Sequence, residues 1–464
     1  MTRIGIMIAM VAATFSAPLY AKSPAEIYKE FSGSLAIVKM KIGTGDMLQA
    51  ITGPAVCVHS DQKGRAVFLT TAFGIQTPLK EISNLTVKPG GLSAKSVPAE
   101  VMGVDPLTGM AFIRTVGAAK WPKIVFVGKT SGLQIGQQVV SIGLQDAGRG
   151  HDPYMGVAYV SGRARVPETL YRVTGGNLTG TCSPVFNLDG KVVGLVARQL
   201  PTAFQMSTSR GQTYVALTGQ DEKSYFLPID EFANTITSMP SPGMPKRRVW
   251  TGVVAYQPVS DSDAKTYGLK VPAVMLGKIV KGGPADKAGL KERDLIIGVG
   301  GVQLERFATP ELVGKQFLNQ LQKLAFAGKK QVTINIKRSE RQLSVKVDLV
   351  AIPKQPFEAE RYISKEIALV VREKVPPDSY LDTSPTATVE GLVVIAAPEK
   401  GPAGVSGLRR GDLLIQVNGQ PVTTVKSIDD IITKALKYSP DKTLVLLVQR
   451  GDKTYPISIM PPRK

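Results

Sequence analysis

The chain has 464 residues, 43% hydrophobic and 20% charged, with 46 Gly and 32 Pro, which describes an ordinary globular chain of about three domains, rich in turns and short strands. It carries 57 Lys and Arg against 37 Asp and Glu, a formal charge of +20; the basic residues are scattered without an interleaved aromatic array, which argues against a dedicated nucleic-acid module and leaves weak attraction to anionic envelope surfaces. With two His and two Cys in the chain, a zinc site is not expected, and nothing calls for a cofactor.

Residues 1–21 read as a secretory leader: Arg3, an apolar run from Ile4 to about Ala13, and small residues before Lys22. That run is too short to span a bilayer, and no later run reaches that length, so the expectation is an exported chain, periplasmic or extracellular. Cleavage after Ala21 takes one positive charge from +20 and leaves +19. In an exported chain the even pair Cys57 and Cys182 fits one disulfide, or two buried free thiols.

Residues 23–238 hold short apolar runs separated by Gly, Pro and Asp turns, such as Gly64–Thr71, Met110–Thr115, Gln137–Leu144 and Lys191–Arg198. Strands at that spacing predict a β-barrel or sandwich. Helical signal is confined to Pro24–Phe31 and Ile229–Thr237, and Asn187-Leu188-Asp189-Gly190 reads as a hairpin turn. Residues 239–248 are Pro-rich and aperiodic, a linker.

The rest of the chain repeats itself. Gly283 and Gly401, Gly289 and Gly407, Asp294 and Asp412, and Gly301 and Gly419 all stand 118 positions apart. Each copy reads as an apolar strand, a Gly-Pro-Ala turn, a short helix with a Gly after it, an Asp-led strand and a Gly turn. An amphipathic helix follows in each, Glu311–Ala327 and Ser427–Tyr438, and then paired strands. Gly-Pro-Ala-x-x-x-Gly-Leu-x-x-x-Asp-Leu resembles the PDZ signature, which gives two PDZ domains at 249–352 and 363–464 with a second linker at 353–362.

A leader, a β-barrel domain and two PDZ-like repeats together resemble the HtrA (DegP-like) trypsin-like serine proteases. The resemblance implies a mainly β protein, a trypsin-like double barrel followed by two α+β PDZ domains. It also implies a His-Asp-Ser triad, which three local stretches test residue by residue. Leu69-Thr70-Thr71-Ala72-Phe73-Gly74 puts Phe73 in the histidine's place. Asp105-Pro106-Leu107-Thr108-Gly109-Met110-Ala111 puts Gly109 in the aspartate's place. Thr179-Gly180-Thr181-Cys182-Ser183-Pro184 puts Thr181 in the serine's place. A hydroxyl is a poor nucleophile without a base to take its proton and an acid to orient the base; Phe73 cannot accept a proton and Gly109 has no side chain. Thr179 and Cys182 also stand where glycines ease the oxyanion turn.

The expected protein is therefore a non-catalytic relative, with no functional triad. The alternative is an endopeptidase that uses Thr181 or the adjacent thiol of Cys182 with His59, His151 or an unidentified base. The resemblance further implies that Cys57, on the strand before the histidine's position, could meet Cys182 as a disulfide across the former active site. It implies peptide C-termini as partners, captured by the loops Trp250-Thr251-Gly252-Val253 and Ile367-Ala368-Leu369-Val370, with Leu369 standing where the first loop has Gly252. It implies a homo-oligomer, a trimer formed through the barrel domain.

Overall fold

The computed structural model describes residues 21–43, 49–71, 82–91, 94–126, 130, 133–196, 202–207, 213–218, 225–241, 246–381, 389–438 and 443–460. The expected leader, through residue 20, and Phe73 lie outside them. Among the described residues no helix is long and apolar enough to cross a membrane.

Helix α1 (Pro24–Phe31) opens the described chain. Its Ser23 N-cap and Glu26 form a reciprocal capping box, and Pro24 sits at the first turn, where no N–H is needed. Phe31 then stacks on Phe186 with ring centroids 4.6 Å apart, docking the helix on the barrels.

Six strands close the first barrel: β1 (Leu35–Ile42), β2 (Gln49–Ser60), β3 (Ala66–Thr71), β4 (Ile82–Pro89), β5 (Val97–Val104) and β6 (Met110–Thr115), in the order β1-β2-β3-β6-β5-β4. The second barrel follows from β7 (Gln138–Leu144), β8 (Pro153–Arg165), β9 (Thr169–Thr174), β10 (Pro184–Phe186) and β11 (Val192–Leu195). A separate hairpin, β12 (Thr202–Ser207) and β13 (Thr213–Thr218), precedes β14 (Tyr225–Pro228), which joins the second barrel in the order β10-β11-β14-β9-β8-β7. The mainly β double barrel expected from the sequence is thus observed. Closure removes the open edges that a flat sheet of this size would present. Asn187 Oδ1 accepts from the N–H groups of Asp189 and Lys191, building the hairpin turn between β10 and β11. Helix α2 (Ala233–Thr237) ends the barrel region.

The first repeat starts with β15 (Val249–Trp250), β16 (Tyr256–Pro258), α3 (Asp261–Thr266), β17 (Val274–Leu276) and α4 (Pro284–Lys287). It continues through β18 (Leu295–Val299), β19 (Val302–Gln303), α5 (Pro310–Phe326), β20 (Gln331–Arg338), β21 (Arg341–Asp348) and β22 (Val350–Ala351). Its sheet runs β16-β17-β18-β20-β21, with β19 on β18 and a separate β15–β22 pair. The second repeat comprises β23 (Arg361–Ser364), β24 (Leu369–Glu373), α6 (Pro376–Leu381), β25 (Leu392–Ala396), α7 (Pro402–Val405), β26 (Leu413–Val417), β27 (Gln420–Pro421), α8 (Val425–Tyr438), β28 (Leu444–Arg450) and β29 (Lys453–Ile459). Here the order is β23-β24-β25-β26-β28-β29, with β27 on β26. β23 begins inside the stretch read from sequence as a linker.

The Asp shared by the two repeats has one structural job in both. Asp294 is 2% exposed, accepts from the N–H of Lys291, and takes Nε and Nη2 of Arg338 at 2.7 Å each, while Nη2 also reaches Gly289 O. Asp412, 1% exposed, repeats this with Arg409 N–H, both guanidinium contacts of Arg450 at 2.7 Å, and Gly407 O. One carboxylate thereby ties the turn after the short helix to the end of the hairpin's first strand, beside its turn, with bidentate geometry. Replacing Asp412 by Ala leaves Arg450 without its partner and the Arg409 N–H without its acceptor; unfolding of the second repeat in urea should shift by about 2–4 kcal/mol, and an unchanged midpoint would show the clasp to be superficial.

Candidate functional site: the nucleophile loop and the peptide edges

The loop that carries Thr181 runs from β9 to β10 across the mouth of the second barrel. Its backbone donors are turned inward. The Thr179 N–H donates to Ser141 Oγ of β7 at 2.8 Å in a buried contact, the Gly180 N–H donates to Tyr154 Oη at 3.1 Å, and the Cys182 N–H donates to Val196 O at 2.6 Å. By the resemblance the Thr179 N–H would be an oxyanion donor, and an acyl-transfer site needs such donors aimed at the place where charge develops. Thr179 itself is fully buried, and its Oγ1 has no hydrogen-bond partner among the described residues.

This inward collapse requires a glycine opposite. A Cβ on Gly143 of β7 would lie 2.6 Å from Ser183 Oγ and 2.7 Å from Thr179 Cβ, so only a residue without a side chain lets the loop press against the strand. Cys182 holds φ +65, a left-handed conformation that costs a non-glycine residue about 1–3 kcal/mol. Its thiol is 1% exposed and donates to Leu69 O at 3.4 Å. Thr181 is half-buried.

Of the two histidines named as substitutes for a base, one is exposed and the other is held in a turn. His59 is exposed on β2, with no side-chain hydrogen bond among the described residues. His151 sits at φ +59 in the turn before β8, 9% exposed, with Nδ1 bonded to Gln145 O at 3.0 Å. Gly109, in the acid's place, lies in a tight turn closed by buried Asp105, whose Oδ1 accepts from the N–H groups of Leu107 and Thr108. Asp105 Oδ2 faces Lys246 Nζ at 3.5 Å. Among the described residues no group of His, Cys, Asp and Glu could hold a metal ion.

Cys57 and Cys182 are both free thiols, so the disulfide expected across the cleft is not formed. Strand alternation explains why. In the β2–β3 ribbon Val56 pairs with Leu69 and Cys57 with Phe68; Val56 and Leu69 belong to the core that includes Cys182, while Cys57 and Phe68 point to the opposite face and a different core. Burial pushes the Cys57 thiol up to about 12.

Of the two expected capture loops, the first is held against the Gly-Pro-Ala turn. Thr251 O accepts from Ala285 N–H at 2.7 Å and Gly252 O from Val280 N–H at 2.8 Å, Val253 bridges Ile279, and Gly252 takes φ +86. Thr251 Oγ1 bonds Tyr256 Oη at 2.6 Å, and burial pushes that phenol up to about 12. Trp250 stacks on Tyr380, centroids 5.5 Å apart. In the second repeat the matching bond runs from Ala403 N–H to Ile367 O at 3.0 Å, and the left-handed residue is Ala368 at φ +52. Ala368, and not Leu369, therefore stands where the first loop has Gly252; Leu369 and Val370 are already in β24.

A cleft of about 660 Å³ lies between the two barrels and the first repeat, lined by Gly109 of the first barrel, Trp250 and Thr251 of the loop, Tyr256 of β16, and Leu318 and Asn319 of α5. Glu168, in the turn between β8 and β9, closes one side by binding Lys315 Nζ and Asn319 Nδ2 at 2.7 Å each.

The PDZ domain family matches residues 393–450. The chain is 27% identical over 370 residues to a probable periplasmic serine endoprotease, DegP-like, of Pseudomonas fluorescens, covering 76% of this chain and 69% of that protein. It is 28% identical over 364 residues to the protein of the same name in Chlamydia trachomatis, covering 76% of this chain and 65% of the relative. Among solved structures, the HtrA-type protease AlgW with a decapeptide overlaps 72% of this chain and all of its own, at 13% identity and a TM-score of 0.49.

Two outcomes check this geometry. Ellman's reagent should find no rapidly reacting thiol in the native chain and two after unfolding without reductant; a native disulfide would leave none in either state. Cys57 and Tyr256 are both held neutral by the fold, above ordinary values of 9.0 and 10.0. The unfolded chain then gives up these protons first, so their contribution is complete below pH 9 and is lost as the pH rises toward 12. Melting temperature at constant ionic strength should fall across that window, less steeply in a Tyr256→Phe variant.

Proposed function

This chain is a homologue of the HtrA (DegP-like) trypsin-like serine proteases carrying a PDZ domain, and from that premise we propose that it is a proteolytically inactive, exported member that binds peptide C-termini or unfolded segments as a scaffold, holdase or adaptor. The single observation that carries the reading is the buried bond from Thr179 N–H to Ser141 Oγ. It engages one of the backbone N–H groups that the resemblance would make an oxyanion donor, which weakens the backbone contribution that can leave about 10³–10⁴-fold catalysis after triad removal. Gly109 supplies no carboxylate, and the residue in the histidine's place, Phe73, cannot act as a base.

What remains for function is the peptide-binding apparatus. A PDZ domain adds an extended peptide as a strand to a sheet edge and takes the terminal carboxylate on backbone N–H groups. In the first repeat β16 is the end strand of its sheet, α5 runs alongside it, and the Trp250–Val253 loop stands at its start. The names of the relatives place those proteins in the periplasm, and a leader at residues 1–21 would deliver this chain there. Assembly into a homo-oligomer through the barrel domain would multiply the number of edges offered to one unfolded client.

The test uses the purified mature chain with β-casein and a dye-labelled decapeptide ending in three apolar residues with a free carboxylate. Expected are no casein cleavage above the buffer rate, the same result for a Thr181→Ala/Cys182→Ala double variant, and peptide binding that falls at least tenfold when the carboxylate is amidated. Casein cleavage that disappears in the double variant would overturn the inactive reading.

A further inference from the structure

We infer that β23 is an internal ligand of the second repeat, filling the peptide-accepting edge of β24 that β16 leaves open in the first. The inference rests on the peptide-capture reading above and concerns how that capture is distributed between the repeats.

The two sheets match strand for strand from β16/β24 inward: β16 pairs β17 as β24 pairs β25, and both continue into the Asp-led strand and the terminal hairpin. They differ at the edge. Beyond β16 no further strand is present among the described residues, whereas β24 carries β23 on its outer side, antiparallel and in register from Arg361↔Arg372 through Tyr362↔Val371 and Ile363↔Val370 to Ser364↔Leu369. With Thr251 matched to Ile367, β23 corresponds to the residues just before β15, of which 246–248 form no strand, and β15 itself pairs with β22.

β23 also sits as a bound peptide would. Its last residue, Ser364, is opposite the first residue of β24, the end at which the capture loop stands. Its side chains alternate as an added strand requires. Ser364 is 2% exposed and Tyr362 packs against the second repeat's core, to which α8 contributes Ile428 and Ile432, while the intervening Ile363 is 37% exposed. Tyr362 bonds Ser364 on the same face, and its phenol lies near Asp429 of α8 and Glu366. Where a ligand would end in a carboxylate, the chain instead turns through residues 365–368: Ala368 N–H donates to Lys365 O at 3.3 Å and Ser364 Oγ to Glu366 Oε2 at 3.2 Å. The backbone donors a carboxylate would need are partly engaged by the turn itself.

Because β23 is tethered to β24 by a four-residue turn, its effective concentration at the edge is on the order of millimolar or higher. A free peptide must displace it. In the resting chain, therefore, external peptides dock on the first repeat, and the second opens only when β23 is pulled away.

The full mature chain tests this by hydrogen exchange and by fluorescence anisotropy with a labelled peptide of residues 355–364 ending in a free carboxylate. In the wild type, amides of 361–364 and 369–373 should be protected together, and added peptide should leave them unchanged. Tyr362→Asp places a charge against the core and beside Asp429 and Glu366. It should deprotect both segments and create a site on β24 that binds the peptide at least tenfold more tightly than the wild-type chain does, restoring protection at 369–373. Tyr362→Ala, which removes the ring without adding charge, should do the same more weakly and serves if loss of protection in β26 and β28 shows the Asp variant to be unfolded. Fast exchange at 361–364 in the wild type, peptide bound at wild-type β24, or a folded variant that gains no binding would each overturn the inference. If the wild type binds no peptide of any sequence yet β23 stays protected and the variant gains its site, capture at the first repeat is wrong and the internal ligand stands.

Discussion

A backbone N–H taken out of water must be given an acceptor, and leaving one unpaired costs about 1–3 kcal/mol. The behaviour of the nucleophile loop follows from that constraint. Once Thr179 is buried its N–H needs a partner, Ser141 Oγ supplies one, and the loop must then approach β7 closely enough to make the bond. Gly143 makes the approach sterically possible, Cys182 absorbs the turn with a left-handed φ, and its buried thiol fills the space beneath Val56 and Leu69. The outcome is a packed corner where a hydrolase would keep a pre-organised, ligand-facing set of donors. Catalysis needs donors left waiting for a transition state; here the N–H groups of Thr179, Gly180 and Cys182 are satisfied in the resting protein.

The same constraint governs the sheet edges. A strand edge with unpaired N–H and C=O groups is both a docking surface and a hazard. The double barrel abolishes its edges by closure. The two repeats, built around one Asp–Arg clasp, resolve theirs differently: β24 is covered from within the chain by β23, and β16 ends its sheet beside α5 and a cleft shared with the barrel. The two copies of the module thus end their sheets unequally, one at β16 and one with β24 covered by β23.

How much of this was readable beforehand depended on the range of the interaction. The repeat, the helices at α1, α5 and α8, and the Asn187–Gly190 turn are written in local periodicity and turn chemistry, and they stand within a few residues of the expected positions. The placing of Gly109 and Thr181 at triad positions rests on the resemblance of their local sequence frames alone. The disulfide was misjudged because nearness of two strands in sequence terms says nothing about which face a side chain takes; one step of alternation sends Cys57 away from Cys182. The second capture loop was placed one residue too far along, since 36 positions separate Ile367 from Ala403 while 34 separate Thr251 from Ala285. β23 was hidden in a stretch rich in Pro, Lys and Glu that reads as a linker, and only its pairing with β24 reveals it.

The barrel and the first repeat are joined by several polar contacts. Glu168 holds Lys315 and Asn319, Arg165 reaches Glu305, and Lys246 bridges from the inter-domain segment to buried Asp105 beneath the Gly109 turn while its ammonium lies over the Phe326 ring. The exposed Arg165–Glu305 pair contributes little stability by itself, about 0–1 kcal/mol; together the contacts fix how the first repeat faces the barrels. They place the loop of the first repeat and the strand β16 across the cleft from the Asp105–Gly109 turn. In that arrangement the barrels form one wall of the cleft and the first repeat, through Trp250, Tyr256 and α5, forms the other.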